Sequence, residues 1–124
     1  MPAFSQAFDA FLMIGLILEA MAQCSARASE LLAMLPRYHM VKRKVSGEPH
    51  RCYMAIDRLG RNEGWSGQGK LSTVDGVRVD WEDGWIHLRA SQTEPIIRVI
   101  SESESREQAE NRAEEATRLL EQAL

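Results

Sequence analysis

Between Val77 and Ser101 the chain reads as three consecutive strands, and no other stretch limits the fold as much. Val77, Val79 and Trp81 alternate with Arg78, Asp80 and Glu82. That is the period-two pattern of a strand with one apolar face. Asp83-Gly84 follows, a hairpin signal that favours a type I′ turn into a second strand, Trp85–Arg89. The segment Arg89-Ala90-Ser91-Gln92-Thr93-Glu94-Pro95 then leads to a third strand, Ile96–Ser101. Strands joined by such short connections pair antiparallel, because a parallel pair needs a crossover of about a dozen residues or more.

The flanks complete a two-layer domain. Met40–Val45 alternates apolar and basic residues, as a half-solvated strand does. Ser46-Gly47-Glu48-Pro49 is a turn that opens a helix over about His50–Leu59, and glycines at 60, 64, 67 and 69 mark a loop. Ser105-Arg106-Glu107-Gln108 has capping-box spacing. It starts a helix with one apolar stripe: Ala109, Ala113, Ala116, Leu119, Leu120 and Ala123. The order from Met40 is β-α-β-β-β-α. The expected fold is α+β, a small antiparallel sheet with two helices on one face.

An N-terminal helical segment precedes it. Gln6–Gln23 reads as a helix that Phe8, Phe11, Leu12, Ile14, Leu16, Ile17, Leu18 and Met21 make apolar nearly all round. Such a helix is meant to be buried on several sides. Ser25 is expected to cap a second helix running to about Leu35, which Pro36 stops. The expected division is therefore residues 1–39, helical with a linker, and residues 40–124.

Several function classes fit poorly. The 15 Lys and Arg fall short of the 18 Asp and Glu, whereas a dedicated nucleic-acid binder carries a basic surplus. Cys24 and Cys52 have no metal-site spacing and cannot form a disulfide framework. The apolar run Ala10–Leu18 is far short of the roughly 20 residues that span a bilayer, and no Lys or Arg precedes it as a secretory signal requires. The reading is a cytoplasmic protein without a nucleic-acid or membrane partner. Asp75, Asp80, Glu82 and Asp83 lie in turns or on alternating faces and do not suggest a metal site. His39, His50 and His87 lack ligand spacing and read as linker, helix-start and strand residues. Trp81 and Trp85 read as cross-strand packing. In Lys42-Arg43-Lys44 the alternation of a half-exposed strand explains the charge.

The segment 89–95 carries the chemistry. A guanidinium at a strand end can grip two phosphate oxygens at once. The Ser91 and Thr93 hydroxyls and the backbone N–H groups of the bend can donate to the third. Glu94 is expected to bond loop amides. This is a cradle for a phosphate, without a group to react with one.

Arg-Ala-Ser-Gln-Thr-Glu-Pro, followed by Ile-Ile-Arg-Val, resembles the phosphate-binding loop of the α-D-phosphohexomutases. That family includes the phosphoglucomutases, phosphomannomutases and phosphoglucosamine mutases. Asp75-Gly76-Val77 and Asp83-Gly84-Trp85 resemble the family's run into that loop. Leu35-Pro36-Arg37-Tyr38-His39-Met40-Val41-Lys42 resembles its join between third and fourth domains. The resemblance implies that residues 40–124 are a phosphohexomutase C-terminal domain and residues 1–39 a helical remnant of the preceding one. It implies that Arg89, Ser91 and Thr93 bind phosphate through side chains, Gln92 through its N–H (the family usually has Gly or Asn there), and that Arg98 supports them. The full enzymes are isomerases of carbohydrate metabolism. They interconvert hexose 1-phosphate and 6-phosphate by intramolecular phosphoryl transfer, with a phosphoserine and magnesium. The family's serine loop, Asp-x-Asp-x-Asp magnesium loop and Gly-Glu-x-Ser-Gly-like sugar segment do not occur in this sequence. The expectation is a phosphosugar-binding domain that is not catalytic alone and holds no metal or cofactor itself. Its partners would be the phosphosugar and the remaining mutase domains, or a homo-oligomer through the N-terminal helix. The alternative is a stand-alone interaction protein that dimerises or binds a partner through that apolar helix.

Overall fold

The computed structural model describes residues 9–124. They divide into two compact units, one ending at Pro36 and the other Arg37–Leu124.

The first unit holds two helices, α1 (Ala10–Cys24) and α2 (Ala28–Met34). The Asp9 carboxylate starts α1 by accepting from the N–H groups of Phe11 and Leu12, at 2.9 and 3.1 Å. The expected earlier start, at Gln6–Phe8, lies outside the described residues. Ser25 does not cap α2. It ends α1 in the left-handed conformation, with φ of 50°, and Arg27 stands at the N-cap of α2. A left-handed residue after the last turn is a common helix stop, and it uses the serine that the sequence pattern assigns to the next helix. No residue of α1 is buried, and Phe11 remains 88% exposed. The burial expected of so apolar a helix is absent from its surroundings here.

The second unit is a five-stranded antiparallel sheet under two helices. Its strands are β1 (His39–Ser46), β2 (Lys70–Ser72), β3 (Val77–Trp81), β4 (Gly84–Ala90) and β5 (Ile96–Ser103), and its helices are α3 (Pro49–Arg61) and α4 (Arg106–Ala123). The spatial order is β1-β5-β4-β3-β2. The α+β architecture and the two helices stand as expected, with one more strand than the pattern shows. That strand, β2, is a three-residue edge piece paired with β3 through Leu71 and Val79. It is too short to alternate visibly.

Register sorts the side chains. Val77, Val79, Ile86, Leu88, Ala90, Ile97 and Val99 face the helices and are buried. They meet Cys52, Ala55, Ile56 and Leu59 of α3 and Ala113, Ala116 and Leu120 of α4 in one core. Pro49 opens α3 at a position whose N–H needs no partner. Ser105 caps α4 by accepting from the Gln108 N–H. The capping box stays half-formed, because the Gln108 side chain accepts from the buried Ser103 hydroxyl at 3.0 Å instead.

The β3–β4 hairpin differs from expectation by one residue. Trp81 pairs with Gly84, so Glu82 and Asp83 form the bend. Neither has positive φ, so the bend is not type I′, which needs positive φ at both positions. Gly84 is required for another reason: a Cβ there would run into the Glu102 carbonyl of β5. Trp81 and Trp85 lie on opposite faces of the sheet and do not pack on each other. Arg112 of α4 covers the Trp81 ring at 4.2 Å and donates to Asp83 at 2.8 Å. Arg78 covers Trp85 at 4.3 Å on the open face. Trp65, between α3 and β2, packs on the core and donates its Nε1–H at 3.1 Å to the Leu59 carbonyl, which also accepts from the Asn62 N–H at the end of α3.

Candidate anion-binding site

The helix-free face of the sheet positions the candidate site. Alternation brings every second residue of β4 and β5 to that face. His87 and Arg89 therefore stand beside Ile100 and Arg98, with Arg89 directly opposite Arg98 and His87 directly opposite Ile100. On the next strand Lys44 is opposite Arg98. Three cations thus share one row across β1, β5 and β4. Like charges directly opposite one another destabilise a sheet, and an anion on the row relieves that repulsion.

The chain leaves β4 at Ala90 and re-enters at Ile96. The Ser91 N–H donates to the Ile96 carbonyl at 2.9 Å and the Ile96 N–H to the Glu94 carbonyl at 2.8 Å, closing the bend. The Gly47 N–H donates to the Pro95 carbonyl at 3.0 Å, tying the bend to the end of β1. The Ser91 Oγ accepts from the N–H groups of Thr93 and Glu94, at 3.4 and 3.3 Å. Its lone pairs therefore serve the turn, as hydroxyls often do, and its O–H remains to donate outward. Among the described residues the Gln92 N–H has no acceptor. Gln92 has no positive φ, so the bend holds a side chain at this position without left-handed backbone.

All five residues singled out from the sequence line one hollow. Arg89, Ser91, Gln92, Thr93 and Arg98 enclose about 330 Å³ together with His87, Ala90 and Ile100. Carboxylates flank the row. Asp75 Oδ2 lies 3.2 Å from Arg89 Nη1, and Glu94 Oε2 lies 3.5 Å from Lys44 Nζ. Glu94 thus pairs with a lysine instead of bonding loop amides, which go to Ser91. Among the described residues Arg98 has no carboxylate within ion-pair distance. His87 was not singled out by its spacing from other histidines, yet its Nε2 lies 2.6 Å from the Asp75 carbonyl oxygen. The signal that finds it is strand parity, since positions 87 and 89 share a face.

Chemically the hollow can hold a compact polyoxyanion through two guanidiniums, two hydroxyls and a backbone amide. Among the described residues no three His, Cys, Asp or Glu side chains converge as a metal ion needs.

Comparison with known proteins gives this geometry its context. Residues 40–119 match the family described as "Phosphoglucomutase/phosphomannomutase, C-terminal domain". The chain belongs to that family. A phosphoglucomutase/phosphomannomutase of Thermococcus kodakarensis is 36% identical over 99% of this chain and 26% of its own length. A phosphoglucosamine/phosphogalactosamine mutase of Sulfurisphaera tokodaii is 32% identical over 91% of this chain and 25% of its own. The crystal structure of a phosphoglucomutase/phosphomannomutase family protein from Burkholderia thailandensis superposes with a TM-score of 0.72, at 27% identity, over 96% of this chain and 25% of that one. The chain spans about a quarter of the length of these relatives. The match covers the sheet, α3 and most of α4, so the hollow lies wholly within the domain that defines the family.

Proposed function

We propose that residues 89–98 bind the phosphate group of a phosphosugar, and that this domain serves a phosphohexomutase as a grip on substrate while chemistry is done elsewhere. The observation that carries the reading is the convergence of Arg89, Ser91, Gln92, Thr93 and Arg98 on one hollow, with Arg98 paired to no carboxylate among the described residues. Arg89 supplies the planar fork. Ser91 and Thr93 supply hydroxyl donors, the Gln92 N–H points the bend's backbone at the anion, and Arg98 adds charge. The domain brings binding energy and orientation. It carries no phosphoryl group itself, so the phosphotransfer between hexose 1-phosphate and 6-phosphate requires the remaining domains of such an enzyme. In that setting they also cover the apolar surface of α1, and the cytoplasm is the compartment that supplies the phosphosugar.

One loop on one domain binds weakly, with a dissociation constant of about 1 mM, or roughly −4 kcal/mol. Removing a charged bidentate donor costs about 1.5–3 kcal/mol. Titration with glucose 1-phosphate should therefore show Arg89→Ala about 10-fold or more weaker than the parent chain. Equal affinity in the two proteins would sink the reading.

A further inference from the structure

His87 lies in the wall of the same hollow, and its hydrogen bond determines what its ring can do. A carbonyl oxygen only accepts. The 2.6 Å contact between His87 Nε2 and the Asp75 oxygen therefore assigns the proton to Nε2. One ring nitrogen is left, Nδ1, and it alone can take a second proton. A second proton on an imidazole makes it a cation with a donor at each nitrogen. The Nε2–H bond survives that step, so the ring gains charge without leaving its place.

The surrounding charges are close to balanced. On β3, Arg78 stands directly opposite His87 but is held by Asp80 through contacts of 2.6 to 3.0 Å. Before β3, the Asp75 carboxylate is engaged by Arg89, the neighbour of His87 on its own face of β4. On β5, Glu102 accepts from the Trp85 indole at 3.0 Å, and among the described residues Arg98 has no carboxylate within ion-pair distance. An anion entering beside Arg89 and Arg98 is then the largest new charge near the ring. It favours the doubly protonated form, and by linkage that form favours the anion.

We propose that His87 is a proton-dependent binding residue of the anion hollow: neutral, it pins the Asp75-Gly76 turn; protonated at Nδ1, it adds a third cation to Arg89 and Arg98. This inference rests on the phosphate-binding reading. It goes further by making affinity depend on pH through a residue outside the 89–95 segment. A half-exposed unit charge one side chain away is worth roughly a three- to tenfold change in affinity.

Inorganic sulfate is the probe, because it keeps its charge between pH 5.5 and 8 (roughly the histidine range) whereas phosphate does not. The chain and its His87→Gln variant are titrated with sulfate at both ends of that range, following the amide resonances of Ser91, Gln92 and Thr93. The expected result is binding about three- to tenfold tighter at the acid end in the parent chain, with little change in the variant. The same tightening in both proteins overturns the role of His87 while leaving the hollow as an anion site. Failure of sulfate to move those amides in either protein at either pH counts against phosphate binding itself, and the His87 proposal falls with it.

Discussion

At the scale of single residues, the site depends on two groups outside it. The Asp75 carboxylate steadies Arg89, and its carbonyl steadies His87. Both depend on the turn at Gly76, which has φ of +79° and no room for a Cβ because the Leu88 carbonyl of β4 stands in the way. Left-handed backbone costs a non-glycine residue about 1–2 kcal/mol before any clash is counted. Gly76→Ala should lower stability by roughly 2–4 kcal/mol and weaken phosphosugar binding too. Denaturant unfolding of the two proteins checks it, and an unchanged midpoint contradicts it. Asp83 gives the pH dependence. A hydrogen bond from Arg112, helped by that guanidinium's charge and the Ser103 hydroxyl, holds its carboxyl below the usual range against the opposing effect of burial. A depressed carboxyl stabilises the fold above its unfolded value, near pH 4, and that contribution is lost as pH falls through the lower folded value. Acid unfolding should therefore steepen below about pH 4, and Asp83→Asn should remove part of that slope. Identical slopes in the two proteins would exclude the pair as a source.

At the scale of elements, alternation along β3, β4 and β5 made the sheet legible in the sequence. Arg89, Ser91 and Thr93 were legible as neighbours along one short segment, and Arg98 only through the family resemblance; the register that sets Arg98 directly opposite Arg89 is visible only in the structure. Other features were hidden for physical reasons. Lys70–Ser72 pairs at an edge with Leu71 as its one apolar residue, so it has no pattern to read. The hairpin bend moved back by one residue because Gly84 is needed against β5, not in the turn. Ser25 carries the composition of a cap, but backbone conformation decides which helix it serves. The partners of Glu94 and His87 are set by register across strands, which composition does not reveal. The α4 stripe was legible, and its alanines let the helix approach the sheet closely while Leu120 fills the gap. Leu120 is fully buried, so Leu120→Ala should cost about 2–5 kcal/mol, read as a lower thermal midpoint. A loss within the error of measurement would show that the core closes around the cavity.

At the scale of the whole molecule, the buried core of the second unit runs from Val45 to Leu120, with Val41 and Leu124 among the half-buried residues packed on it, while α1 contributes no buried side chain. Removing residues 1–36 should leave the amide spectrum of Arg37–Leu124 essentially unchanged and reduce self-association, since large exposed apolar patches promote association or partner binding. A collapsed spectrum would show that the first unit is needed for folding. Among the described residues no single helix is long and apolar enough to cross a membrane. The resemblance to phosphohexomutases was legible from residues 89–98 and their run-in, and the family match over residues 40–119 establishes it. The substrate grip is the part that requires experiment. The most direct measurement is an amide chemical-shift map of the chain titrated with a hexose phosphate. The account predicts the largest shifts at Arg89, Ser91, Gln92, Thr93 and Arg98. Shifts centred on the helical face of the sheet, or none at saturating ligand, would contradict it.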